Sequence, residues 1–239
     1  IVVYNAGIKG SFDKGKHFIQ FGNSIEQTKI NDHLKEWEYQ DSAGYSLPNN
    51  PGQLKLYKLL QSNADLSVQK FSGYVQDNIR LGNSTRDITL QAGVRYNYNT
   101  LNNEFLVSPR AQLSWKPGWK KDVVLKLAAG IYDQPPFYRE LRKYDGTLNT
   151  KVKAQKSYQV VAGMDYNFRN ANRPFRLTTE AYYKSITDVD VYDVDNVNIR
   201  YAVNNNAKAY ATGVVFRLFG ELVKDAESWV SIGFMRTRE

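Results

Sequence analysis

The chain has 239 residues, a formal charge of +8 and no cysteine, and its mean hydropathy is −0.55. No segment reaches the roughly 18 consecutive apolar residues of a membrane helix, so a helical membrane protein is excluded, as are disulfide staples and thiol chemistry. Lys and Arg are spread along the chain rather than gathered in blocks, which argues against a nucleic-acid partner.

Taken in order, hydrophobic alternation predicts an all-β chain of about ten strands. Residues 1–10 form a short opening strand and residues 12–16 a turn. From 17 to 41 the pattern is extended but irregular, and reads as one long strand or as a hairpin broken near Asn31 and Asp32. Residues 42–53, rich in Gly, Pro and Asn, are a loop, and LKLYKLLQ at 54–61 has enough helical periodicity for a short loop helix. The third strand is 71–81, followed by a tight turn, LGNSTRD. Residues 86–98 alternate most clearly, with Ile88, Leu90, Ala92, Val94, Tyr96 and Tyr98 on one parity. Further strands are 105–115, 122–132, 156–168, 174–186, 210–219 and 229–239. Pro135 and Pro136 cannot donate two successive ladder hydrogen bonds, so the strand before them stops there.

Short connections such as KPGWKKD, RNANRP and GELVKDAE alternate with long ones at 133–155 and 187–207. In an antiparallel meander this places short turns at one end and long loops at the other, as in an outer-membrane barrel. The same alternation favours one long strand over 17–41. One strand parity is apolar, for example Phe105, Val107, Ala111, Leu113 and Trp115, and Val123, Leu125, Leu127, Ala129 and Ile131. The opposite parity holds the candidates for a barrel lumen: Arg80, Arg95, Arg110, Gln112, Lys126, Tyr132, Glu180 and Arg217.

A soluble or surface-displayed β-sandwich binding module has the same alternation, its apolar faces meeting each other. Aromatic residues near strand ends favour the barrel, where they would form girdles: Tyr98, Trp115, Trp119, Tyr132, Phe137 and Tyr138. Asp77 falls on the apolar parity, near a turn where a lipid-facing charge costs less, unless a bulge shifts the register. Gly93, Gly130, Gly163, Gly213 and Gly233 share the polar parity. They relieve curvature there, or let an element filling the barrel approach the wall.

The long connections supply the external-loop candidates Phe137, Tyr138, Arg139, Asp190, Asp193 and Asp195. Asp188, Asp190, Asp193 and Asp195 are oxygen ligands close enough to suggest calcium, but an EF-hand's glycine turn and terminal Glu are lacking, so a solvated loop is the plainer reading. His17 and His33 have no partner at metal-site spacing. No catalytic constellation stands out, so no enzyme activity, metal or cofactor is expected.

SPRAQLSWKP, LAAGIYDQPPFYREL, QKSYQVVAGMDYNF and the stretch from TTEAYYKSITDVDVYDVDN to the end, preceded by GYVQDNIRL and LQAGVRYNYN, occur in that order. This series resembles the β-barrel of TonB-dependent outer-membrane receptors, in particular the large ones of the Bacteroidetes, over nearly the whole chain. The resemblance implies a barrel of about twenty-two strands, closed by an N-terminal plug and driven by the energy-coupling TonB protein. It also implies a nutrient ligand (iron chelate, glycan or peptide), contact with outer-membrane lipid and, in some such receptors, a capping surface lipoprotein. The sequence holds no plug, no coupling box and no terminal strand with an aromatic end. About ten strands cannot close such a wall, so the chain is expected to be a portion of a larger protein.

Overall fold

The computed structural model describes residues 1–40, 55–82, 87–195, 198–223 and 226–239. Its strands are β1 (Val2–Lys14), β2 (His17–Gln40), β3 (Lys55–Arg80), β4 (Asp87–Asn99), β5 (Glu104–Lys116), β6 (Asp122–Gln134), β7 (Gln155–Asn170), β8 (Arg173–Val189), β9 (Tyr192–Asp195), β10 (Asn198–Tyr201), β11 (Ala207–Val223) and β12 (Ala226–Arg238). A 3-10 turn lies at Tyr138–Leu141. Ten strands form one sheet in the order β1-β2-β3-β4-β5-β6-β7-β8-β11-β12, antiparallel throughout, and β9 with β10 makes a hairpin within the β8–β11 connection.

Directly opposed residues in an antiparallel pair share a face, so the register carries one face across the sheet. Ile79 opposes Leu90, Leu90 opposes Leu113, Leu113 opposes Leu127, and Leu127 opposes Ala162. Nothing in the described residues covers this apolar face: Leu127 is 52% and Phe234 68% exposed. Among the described residues no second large sheet lies against it, which argues against the sandwich, since a sandwich is defined by two sheets burying their apolar faces together.

Aromatic pairs border the apolar face. Phe71–Tyr98 and Tyr96–Phe105 lie toward the long-loop end with ring centroids 6.3 and 6.2 Å apart. Trp115–Trp119, Tyr166–Phe168 and Phe168–Phe175 lie toward the short turns at 6.2, 5.1 and 5.6 Å. Tyr98, Trp115 and Trp119 thus sit where girdle residues belong. Tyr132 instead opposes Ser157 on the polar face, and Phe137 and Tyr138 belong to the loop beyond the strand. Asp77 stays on the apolar face with the β3–β4 register unbroken around it, and His17 Nδ1 lies 2.6 Å from its Oδ2.

β2 and β3 have 24 and 26 residues, against 13 in β4, β5 and β6. Roughly a dozen extra residues carry this hairpin about 40 Å farther along the strand direction. The polarity of its faces reverses on the way. From the short turns up to the level of Tyr98, Phe21, Ile25, Phe71 and Val75 lie on the apolar face with Ile79. Farther up that same face carries Lys29, Asn31, His33 and Lys35, opposite Ser67, Asp65, Asn63 and Gln61. There the buried apolar residues Ile30, Leu60, Ala64 and Val68 lie on the other face.

Three sequence expectations are corrected. The loop helix expected at 54–61 is strand from Lys55 onward, because its backbone pairs residue by residue with β2 up to Gln40; the cooperative ladder outweighs local periodicity. The third strand consequently starts at Lys55 rather than 71. β1 continues through Lys14 and the chain reverses at Gly15, whose φ of +64° suits glycine. The single long strand preferred for 17–41 is β2. The expected loop at 42–53 and most of the LGNSTRD turn lie outside the described residues. One connection departs from the expected alternation: β4 and β5 are joined at the long-loop end by only Thr100–Asn103.

Candidate functional site

All eight lumen candidates lie on the polar face. Arg80 opposes Thr89, Arg95 opposes Tyr74 and Ser108, and Arg110 opposes Gly93 and Gly130. Gln112 opposes Gln91 and Ala128, Glu180 opposes Gly163 and Val215, and Arg217 opposes Thr178 and Ser231. Lys126 is fixed by an ion pair with Asp165 at 2.5 Å.

The structure gathers only some of them. Arg95 and Arg110 line a polar groove of about 670 Å³ with Lys9, Tyr74, Gln76, Ser24 and Ser72. These three cations have no ion-pair partner among the described residues, whereas the nearby Lys70 is paired with Glu26 at 3.2 Å. Sequence reading missed Lys9, although its place opposite Gly22 puts it in the same row as Tyr74 and Arg95. A side chain at Gly93 would meet Val75 O at 2.9 Å, and one at Gly130 would meet Arg110 Cβ at 2.9 Å. Close neighbour strands therefore account for these two glycines. Gly163 has nothing nearer than 3.5 Å.

The second assembly is built by the loops. After Pro136 the chain makes its 3-10 turn, then a small hairpin closed by the Arg142–Leu148 bridge, with Lys143 N donating to Thr147 O at 2.9 Å. Asp145 accepts Thr147 N at 2.9 Å and Thr147 Oγ1 at 2.6 Å. These bonds favour its charged form and hold the carboxyl below its usual range. Gly146, at φ +83°, backs onto β3: a Cβ there would stand 2.8 Å from Leu60 Cδ1.

Leu141, Val152 and Val203 form a buried core between the two long connections, with Leu101, Tyr138, Leu148 and Tyr201 packed around it. Asn149 Nδ2 donates to Val203 O at 3.1 Å, Lys153 N donates to Asn205 Oδ1 at 2.9 Å, and Asn205 Nδ2 donates to Lys153 O at 3.2 Å. The β4–β5 turn supports this body from below: Asn102 Nδ2 donates to Val152 O at 2.8 Å, and Ala154 N donates to Glu104 Oε2 at 2.8 Å.

The tall part of β2 holds the far side. Tyr138 Oη donates to Asp32 Oδ2 at 2.8 Å, Arg142 forms an ion pair with the same carboxylate, and Arg200 Nη2 lies 2.8 Å from Glu36 Oε2. Arg142 Nη2 also donates to Tyr138 Oη at 2.9 Å. Burial and the neighbouring Asp32 carboxylate push the Tyr138 phenol up.

Of the external-loop candidates, Phe137 is 64% exposed and Arg139 and Asp193 are exposed. Tyr138 is committed to Asp32. Asp190 is turned into the loop core at 5% exposure, its Oδ1 accepting Asn204 N at 3.1 Å while its Oδ2 is buried without a hydrogen-bond partner among the described residues. It thereby braces a turn in which Val203 holds φ +58°, a left-handed conformation rare for a β-branched residue. Burial pushes the Asp190 carboxyl up. Asp195 closes β9 through its backbone pairing with Asn198. Among the described residues no three acidic or His side chains gather as a metal site. His33 Nδ1 instead lies 3.0 Å from Asn63 Oδ1.

A single antiparallel sheet with an uncovered apolar face, aromatic borders and a charged opposite face defines the wall of a membrane β-barrel. Residues 3–235 match the family described as TonB dependent receptor-like, beta-barrel. The chain belongs to that family, whose members are receptors and transporters of the outer membrane. In a barrel of this kind the apolar strand face meets lipid and the polar face lines the lumen. Similar solved structures include the siderophore receptor PirA from Pseudomonas aeruginosa, at 13% identity and TM-score 0.70, matched over 98% of this chain and 40% of that one. The outer membrane transporter YddB from Escherichia coli matches at 14% identity and TM-score 0.64, over 98% and 33% of the two chains. The copper transporter OprC matches at 12% identity and TM-score 0.65, over 99% and 37%. The chain thus spans less than half the length of these structures. No protein of curated function matches it by sequence.

Proposed function

We propose that the complete protein actively imports a scarce nutrient across the outer membrane, taking it at the folded loops and passing it along the charged lumen. The groove of Lys9, Arg95 and Arg110 supports this reading most directly, because three unpaired cations on a lumen wall attract anionic groups. Of the three cargo classes, iron chelate, glycan and peptide, the siderophore receptors and copper transporter among similar folds make a metal chelate the first to test. A plug domain filling the lumen and the TonB protein are the partners the family implies for the energy-driven step. A surface lipoprotein is a further partner; the exposed Trp37, Tyr39, Leu56 and Tyr57 high on the β2–β3 hairpin support it.

The test is uptake of a labelled ferric chelate by cells carrying the full-length receptor, with glycan and peptide cargo run beside it. We expect saturable uptake of one class, lost without TonB. The Arg95→Ala/Arg110→Ala double substitution should lower it by about tenfold or more, the scale of lost electrostatic focusing in a charged cleft. Uptake of none of the three, or uptake that persists without TonB, overturns the reading.

A further inference from the structure

The two long loops leave the wall far apart in sequence from β2, yet both end on it. Asp32 and Glu36 are four residues apart on a strand and therefore share a face, the lumen face on which Leu60 and Ala64 are buried. Asp32 takes Tyr138 and Arg142 of the β6–β7 loop, and Glu36 takes Arg200 of β10 in the β8–β11 loop. The two arginine side chains are each 15% exposed, while the Asp32 and Glu36 carboxylates keep 36% and 33% of their surface in solvent, so the pairs are partly shielded and their charge is partly screened. Between the anchors the loops share one apolar core and three hydrogen bonds, two of them reciprocal between Lys153 and Asn205. Neither loop can lift from β2 alone without opening that core.

We propose that Asp32 and Glu36 form a two-point latch that holds both long loops as one cap over the lumen face, and that the cap opens as a single body. Loss of either anchor then loosens both loops, including the one that does not touch the altered carboxylate. The cap's service as an entry gate rests on the import reading above; its behaviour as one body does not.

The experiment is hydrogen exchange on the intact receptor in detergent, comparing residues 141–154 with residues 198–206. Asp32→Asn and Glu36→Gln are each expected to speed exchange in both segments roughly tenfold, the scale of losing a charge-assisted hydrogen bond. Amides of β5–β8 should keep their protection and so report an intact wall. Tyr138→Phe, which removes one hydroxyl and leaves the ion pair, should produce a smaller rise, again in both segments. If Asp32→Asn speeds only 141–154 and Glu36→Gln only 198–206, the loops are independent and the proposal fails. It fails equally if neither substitution changes exchange in either segment. The readout needs no transport, so it stands apart from the outcome of the uptake test.

Discussion

At the scale of single residues, Asp190 reads from sequence as part of a solvated external loop, but the fold leaves it only 5% exposed. Four aspartates within eight residues look like oxygen ligands, but position 190 is carried inward, where one carboxylate oxygen accepts Asn204 N beside the left-handed Val203 and the other is buried without a partner among the described residues. The cost is desolvation of a charge, which raises its pKa. A raised folded-state pKa favours the folded loop below the ordinary value of 3.8, and that contribution is lost as pH rises through the folded value. Asp190→Asn keeps an acceptor for the amide and removes the charge. Exchange at residues 203–206, followed from about pH 4 upward, should therefore rise more steeply with pH in the unaltered protein than in Asp190→Asn after correction for intrinsic chemistry. Identical profiles would show that the carboxylate is not paying for its burial. Tyr138 is the converse case: sequence placed it in an external loop, but its partner Asp32 lies 106 residues away and no local signal joins them.

At the scale of elements, the parity of apolar residues carries the most information. In β4 to β8 it is constant, and so the strands were legible one by one. In β2 it changes from odd, with Ile19, Phe21 and Ile25, to even, with Ile30 and Leu34. That change made residues 17–41 look irregular, yet it is what a strand must do when it leaves lipid and begins to bury residues against protein on its other face. The two faces are expected to differ sharply in tolerance. Leu127→Lys places a charge on the lipid face and should destabilise folding into bilayers by about 2–4 kcal/mol near the midplane. Gln112→Lys, on the lumen face, should change it by less than about 1 kcal/mol. Denaturant titration in lipid vesicles compares the two; equal losses would contradict the assigned faces.

At the scale of the whole molecule, the ten-stranded sheet has two unpaired edges, at β1 and β12, and a wide apolar face. Both are aggregation hazards in water and both are resolved in a closed barrel, where further strands take the edges and lipid takes the face. The full-length protein should accordingly require detergent for extraction and change its electrophoretic mobility on heating, as the hydrogen-bonded wall opens. Recovery in buffer without detergent would overturn the membrane assignment.

The sequence by itself determined the ten strands of the wall and their two faces, though not the β9–β10 hairpin, because side-chain alternation and turn composition are local properties of the chain. It also carried the family resemblance, as an ordered series of segments. The tertiary structure decided which solvent the apolar face meets, since one sheet and two packed sheets share the same alternation. It also decided the cap and its latch. Those depend on side chains more than a hundred residues apart meeting on one face of β2, and such meetings are set by register and by the height of neighbouring strands rather than by anything written locally.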